Sequence, residues 1–310
     1  MHISTHLPTL LLVLPSFTNP SNAASLPLRS ITWNIRYATS SPGTNEKPWW
    51  NILCPIWADQ CRMPHVQSLL STTSSSPVTE NPTIIGLQEV LSNQLSDVKS
   101  GLGTPWAHLG VGRDDGIAAG EFSPILYRTD VFRVLFTETK WLSPTPDVVS
   151  SGWGAGSRRV VTIGVFEHIA TGKRFLAANT HLDNVSATAR IEGIKVVVAR
   201  IEAAQALYGN SLAVVLTGDF NSEPNGDAYA TLKGLGYLTE VWESGATRLG
   251  TNQLTFTGFT TTGVSRIDYC WVGPVGEGRV TVQQFEILGN VVGGVIASDH
   301  RAVVTDLTIV

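Results

Sequence analysis

Cysteine, charge and long apolar runs are all scarce in this sequence, and each scarcity removes a class of protein. Three cysteines in 310 residues, with no CxxC pair, argue against a zinc site built on thiolates. Charged residues make up only 15%, the formal net charge is −4, and no Lys/Arg-rich run occurs. A protein that coats nucleic acid by releasing counterions is therefore disfavoured, although a local basic pocket is not. No GxSxG elbow is present, so an exposed serine nucleophile of that type is excluded. Beyond the N-terminal segment no apolar run approaches the ~20 residues that a membrane span needs. No internal repeat is visible, and the one low-complexity piece is "STTSSSPVTENP", 71 to 82.

What is present is ordinary for a globular chain: 43% hydrophobic residues and 29 glycines. The first 24 residues carry a short apolar stretch, Leu7 to Leu14, followed by small residues at Ser21, Ala23 and Ala24. This predicts a secretory signal cut near Ala23 or Ala24 and a secreted protein, with a plain tail as the alternative because no Lys or Arg precedes the apolar stretch. Residues 25–310 then read as one domain. Cys54 and Cys61, seven apart, suit a small disulfide ring in an oxidising compartment, and Cys270 in "IDYCWV" reads as a buried free thiol.

Strand-like runs are expected at 29–35, 83–88, 106–111, 124–128, 131–138, 159–168, 173–180, 212–218, 266–272, 280–287 and 301–308. A short helix is expected to begin near Pro64, and another after "GDFN". The clearest helix is 187–208, where Ile191, Ile194, Val198 and Ile201 recur at helical spacing. Many strands with few helices suggest two packed sheets flanked by helices.

Polar clusters fall where the strand-like runs stop: "WNIR" (Asn34), "GLQEV" (Glu89), "NTHLDN" (Asn179, His181, Asp183), "GDFN" (Asp219, Asn221), "RIDYCW" (Asp268) and "SDH" (Asp299, His300). Singly, each is a turn former or a cap. Together they are hard oxygen ligands plus imidazoles, a set that favours Mg²⁺, Mn²⁺ or Ca²⁺ over zinc and suits phosphoester hydrolysis.

In its order and spacing, this set resembles the endonuclease/exonuclease/phosphatase superfamily, the deoxyribonuclease I-like fold. "GDFN" and the terminal "SDH" are the most specific motifs, and the likeness runs from about Ile31 to the C-terminus. The resemblance implies an α+β fold, a four-layer αββα sandwich of two mostly antiparallel sheets, with Mg²⁺ or Mn²⁺ as cofactor. It implies Glu89, Asn34 and Asp299 for the metal site, and Asn34, Arg159, His181 and Asn221 for the substrate phosphate. It further implies Asp219 as the residue that orients or deprotonates water, Asp268 as the partner of His300, and Glu121 as the support of His181, with Arg158 competing for the place of Arg159. One departure stands out: the family's tyrosine two residues before that glutamate is Ala119 here.

Substrate choice is expected in the loops. Trp49, Trp50, Trp57, Trp153 and Phe259 are placed either to stack on bases or sugars or to pack against the sheets, and "VGRDDGIAAGEF" offers Arg113, Asp114 and Asp115. The sequon at Asn184 either carries a glycan at the cleft mouth or stays bare, with Asp183 or Asn184 capping the following helix. The first reading is a metal-dependent phosphodiesterase acting on nucleic acid or nucleotides. The alternatives are a phosphatase or phosphodiesterase of small phosphorylated metabolites or lipid head groups, and a non-catalytic binding module. No obligate protein partner is evident.

Overall fold

Strands alternate along the chain in a way that builds two sheets, and a computed structural model describes residues 25–75, 81–209 and 211–310 of it. The expected leader, and residues 76–80 of the expected surface loop, lie outside the described residues. In chain order the first elements are β1 (Leu26–Asn34), α1 (Met63–Ser74), β2 (Thr83–Gln88), α2 (Ser92–Leu102), β3 (Trp106–Leu109), β4 (Ile125–Arg128) and β5 (Phe132–Trp141). There follow β6 (Val160–His168), β7 (Arg174–His181), α3 (Ala187–Tyr208), β8 (Ala213–Asp219) and α4 (Asp227–Leu235). The last are β9 (Thr239–Glu240), β10 (Thr247–Leu249), β11 (Asp268–Gly273), β12 (Val280–Ile287), β13 (Val291–Val292), β14 (Val295–Ile296) and β15 (Val303–Ile309).

One sheet has the order β10-β12-β15-β1-β2-β4-β3 and the other β5-β6-β7-β8-β11-β9. Most neighbours are antiparallel; β1 with β2, β10 with β12, and β7 with β8 are parallel. Three apolar layers hold four structural layers together. Ile31, Trp33, Ile85 and Leu87 on the outer face of the first sheet pack with Val66, Leu70, Leu95 and Val98 of α1 and α2. Leu28, Ile84, Phe166, Phe175, Val215 and Leu307 fill the space between the sheets. Val161, Ile163, Leu176 and Leu216 meet Ile194, Val198, Ile201 and Tyr229 of α3 and α4 on the far side. The chain is thus the αββα sandwich that the resemblance implied.

The period of two along a strand explains where the site lies. Inward-facing residues run Leu28, Ser30, Thr32, Asn34 on β1 and Ile84, Gly86, Gln88 on β2. On β7 they run Phe175, Ala177, Asn179, His181, and on β8 Ala213, Val215, Thr217, Asp219. Each series grades from apolar to polar towards the same end of the sandwich. The middle of the gradient is a buried hydrogen-bonded layer: the Gln88 amide donates to Thr32 Oγ1 (3.1 Å) and Asn179 Oδ1 (2.7 Å), and Thr217 Oγ1 donates to Asn179 Oδ1 (3.0 Å). Asn179 in turn donates to the Leu87 and Pro124 carbonyls, so it is a floor beneath the site rather than a member of it. Gly86 is required here, because a Cβ would collide with the Thr217 hydroxyl and the Asn179 amide.

Candidate active site

At the polar end, register aligns the side chains: His181 lies beside Asp219 across β7 and β8, and Asp219 beside Asp268 across β8 and β11. Asn34, at the end of β1, donates from one amide nitrogen to Glu89 Oε1 (3.0 Å) and to Asp219 Oδ2 (2.9 Å), while its oxygen accepts from the Arg36 amide (2.9 Å). Both polar atoms of the Asn34 side chain are engaged, the nitrogen tying two carboxylates together and the oxygen fixing the Arg36 backbone. Glu89 follows β2 at a position that alternation would turn outward, and a left-handed backbone (φ 59°) swings it to the cavity, where the Tyr37 amide also donates to it (3.2 Å). Arg36 (φ 58°) and Asn221 (φ 47°) line the same cavity in the same strained region, so three of the seven left-handed non-glycine residues among those described meet here.

His300 sits in contact with two acids. Its Nδ1 is 2.9 Å from Asp268 Oδ2 and its Nε2 is 3.7 Å from Asp219 Oδ2. Burial works against its charge, but Asp268 and Asp219 outweigh it and hold the imidazole well above the usual histidine range. Burial and the nearby Asp268 charge push Asp219 up to about 7. Burial would raise Glu89 too, yet the Asn34 hydrogen bond, His300 and Arg36 keep it below the usual carboxylate range. Asp299 is raised by burial, against His300 and with the charge of Glu89 adding to it.

Asp219, Asp268 and His300 form a buried group whose donor atoms lie within 4.8 Å of one another. Asp268 and His300 are hydrogen-bonded to each other, and Glu89 and Asp299, which both line the cavity, are the carboxylates that could hold a hard cation. These two carboxylates line the cavity and raise one another's energy, and Asn34 and the Tyr37 amide orient Glu89 from behind.

His181 Nδ1 is 2.8 Å from Arg159 Nη1, and its Nε2 is 3.0 Å from Asn221 Nδ2. Glu121, expected to support His181, is 4.0 Å from that ring and pairs at 2.7 Å with Arg113; Arg159 takes the place next to the histidine because it immediately precedes β6, the strand beside β7. Arg158 pairs with Asp114 at 3.3 Å, so of the two arginines it is Arg159 that lies against His181. Asp115 does not face a ligand: its Oδ1 accepts from the amides of Ile117, Ala118 and Ala119 and shapes the loop. Ser186, not Asp183 or Asn184, caps α3 by accepting from the Ala189 amide, while Asp183 gathers the amides of Gly156, Ser157, Val185 and Ser186.

Glu89, Glu121, Arg159, His181, Asp219, Asn221, Asp299 and His300 line a cavity of about 860 Å³, while Asn34 and Asp268 are buried behind it. The aromatic loop residues do not line it. Trp49 and Phe259 are buried, each with its ring 5.6 Å from the buried Arg62 guanidinium, whereas Trp50 and Trp57 are exposed elsewhere. The cysteine pair nearby, Cys54 and Cys61, forms a disulfide, and Cys270 is a buried free thiol. Arg36, Tyr37, Ser157, Asp227 and Phe256 line the cavity although their sequence context marks none of them. Only Arg36, two residues after Asn34 in "WNIR", was within reach of an alternation argument. Asp227 meets Arg190 (2.6 Å) through the packing of α4 on α3.

Two packed sheets deliver a buried acid, an imidazole held above its usual range and converging N–H donors to one polar cavity, an arrangement suited to a hydrolase. The chain belongs to the Endonuclease/Exonuclease/phosphatase family, whose model matches residues 31–300. Among solved structures it is similar to an endonuclease/exonuclease/phosphatase family protein from Bacteroides thetaiotaomicron, with 29% identity, a TM-score of 0.78, and 93% of this chain and 97% of that one covered. It is similar to another from Bacteroides vulgatus, with 30% identity, a TM-score of 0.76, and 93% and 100% covered. A third is a Bacteroides thetaiotaomicron mannosyl-6-phosphatase, with 30% identity, a TM-score of 0.75, and 90% and 99% covered. A search among curated proteins finds no match.

Proposed function

We propose that this chain is a secreted, Mg²⁺- or Mn²⁺-dependent phosphatase of a small polyhydroxylated compound such as a sugar phosphate, ahead of the nuclease reading that the motif order first suggests. The observation that carries it is the charge pairing of the cavity wall. Each of the four arginines that line it lies within 4.0 Å of a carboxylate: Arg36 with Glu46, Arg113 with Glu121, Arg159 with Glu121 and Asp183, and Arg190 with Asp227. Among the described residues no lysine and no tryptophan lines the cavity, and of its two aromatic rings Tyr37 is covered by the Arg36 guanidinium (4.3 Å) and Phe256 packs against His300 (5.0 Å). A nucleic-acid strand is held by cations free to neutralise successive phosphates and by aromatic platforms for bases. Paired donors and acceptors instead match the hydroxyls of a sugar, leaving one phosphate to the centre. The similarity to a mannosyl-6-phosphatase supports the same reading.

In this mechanism Asp219 takes a proton from the attacking water as its oxygen bonds to phosphorus, the P–O bond to the alcohol breaks, and the leaving oxygen takes a proton from solvent, while His300, kept cationic by Asp268, donates a hydrogen bond to a phosphoryl oxygen. His181 and Asn221 hold a second phosphoryl oxygen. A cation held by Glu89 and Asp299 would polarise the phosphoryl group and offset its charge. The Cys54–Cys61 disulfide suits an oxidising compartment, and no helix among the described residues is long and apolar enough to cross a membrane. The test is hydrolysis of p-nitrophenyl phosphate against bis-p-nitrophenyl phosphate with Mg²⁺ or Mn²⁺. We expect the monoester to be the better substrate and EDTA to abolish turnover. Turnover that survives EDTA, or a preference for the diester, contradicts the proposal.

A further inference from the structure

We propose that Arg159 is a positioning residue that fixes the tautomer of His181, so that the ring presents an Nε2–H to the bound phosphate, and that Arg159 is not itself a phosphate ligand. Only the identity of the anion rests on the function proposed above; the tautomer belongs to the free protein.

The inference follows from what each group is able to donate. A guanidinium has donors and no acceptor, so the 2.8 Å contact from Arg159 Nη1 requires His181 Nδ1 to carry a lone pair. The one proton of a neutral ring then sits on Nε2. On that side Asn221 Nδ2 is fixed as a donor by the Leu182 carbonyl (3.1 Å) and lies 3.0 Å from Nε2. Two N–H groups therefore face one place, and the nearest acceptor to Nε2 is Asp219 Oδ2 at 3.5 Å. Such a pair is unfavourable empty and well placed for an oxygen that accepts from both, which a phosphate supplies.

Arg159 is poorly placed to bind that oxygen itself. It is 7% exposed, one N–H of Nη1 meets His181, one of Nη2 donates to Asn184 Oδ1 (3.0 Å), and its buried Nε, without a hydrogen-bond partner, lies 3.8 Å from Asp183 on the side away from His181 Nε2. The other charged groups about the ring are Glu121, Arg113, Asp219 and His300. Burial and the positive charges of Arg159, Arg113 and His300 hold His181 well below the usual histidine range, in keeping with a neutral ring. A glutamate in the place of Arg159 would draw the proton to Nδ1 and turn a lone pair towards the phosphate. The arginine inverts that polarity.

The test is a long-range ¹H–¹⁵N spectrum of the full protein with ring-labelled histidine at pH 7, His181 being assigned through His181→Gln. We expect the neutral Nε2–H pattern in the wild type and in Arg159→Lys, which keeps a donor. In Arg159→Met the pattern should change to a mixture or to Nδ1–H, and KM for p-nitrophenyl phosphate should rise about tenfold, as for one lost hydrogen bond to a charged group. The lysine variant should recover most of that loss. An Nδ1–H or doubly protonated ring in the wild type overturns the proposal, and this measurement needs no variant of Arg159 to fold. An unchanged Nε2–H pattern in a folded Arg159→Met protein overturns it equally.

Discussion

At the scale of single residues, the acid and the base of the site are set by who their neighbours are. Asp219 is raised to about 7 by burial and by Asp268, and His300 is held above its usual range by Asp268 and Asp219. The base must be ionised and the acid protonated, so kcat/KM should climb as pH rises through about 7 and fall only at a higher pH, where His300 loses its proton. A pH–rate profile checks this, and a flat profile from pH 5 to 8 contradicts it. Asp219→Asn should remove the rising limb and lower kcat by about 10²-fold or more. A folded-state value above the ordinary ~3.9 of an aspartate also has a sign for stability. The contribution of Asp219 is fully present below that value and is lost as pH rises through about 7, so the fold gives up stability to keep this base. Much of the residue-level site was legible, because Asn34, Glu89, His181 and Asp219 stand where an apolar run stops and Asp268, Asp299 and His300 where one is about to begin. Arg190 with Asp227 was not legible as a pair, since it is made by the packing of α4 on α3, and Arg113 with Glu121 was not because the loop that folds them together shows no period.

At the scale of elements, alternation and helical period carried the reading as far as they extend. α3 has the bounds 187–208 expected of it, because Ile194, Val198 and Ile201 form one buried face. α2 was not expected: Ser92, Asn93, Ser96, Asp97, Ser100 and Gly101 give it weak propensity, and only Gln94, Leu95 and Val98 are buried. β9, β10, β13 and β14, of two or three residues each, are too short to show a period. The run expected at 106–111 stops at Leu109, and the expected strand 266–272 starts only at Asp268. β1 begins earlier than expected and pairs with β15 in a register that sets Arg29 opposite Asp306. The two form a bidentate pair at 2.8 and 2.9 Å. Asp306→Asn should cost about 3–5 kcal/mol at pH 7, because it leaves Arg29 charged and largely buried without its counterion. Burial raises Asp306, but Arg29 outweighs it and its value lies below the usual aspartate range. The contribution is therefore present above about 3.9 and lost as pH falls through the lower folded value. Urea unfolding at pH 7 and at pH 3 checks both points; a variant as stable as the wild type at pH 7 contradicts the assignment.

At the scale of the whole molecule, one gradient links fold to chemistry. The space between the sheets is apolar at one end, hydrogen-bonded through Thr32, Gln88, Asn179 and Thr217 in the middle, and ionisable at the other. The rigid lower layers fix the strand ends, and the loops above them close a cavity whose charges are mutually paired. The sandwich was legible in the sequence through its ordered motifs, but the substrate was not, because the cavity wall comes from loops and helix starts whose pairings no spacing encodes. Wall pairing is the central claim, and it separates a small phosphorylated polyol from a polyanionic strand. The direct measurement is kcat/KM for hexose 6-phosphates against single-stranded DNA and RNA of about ten nucleotides, at one ionic strength and saturating Mg²⁺ or Mn²⁺. The account predicts a preference of at least about 100-fold for a sugar phosphate, the size of discrimination that buried polar pairing readily supplies. Equal or faster cleavage of the oligonucleotides would contradict it.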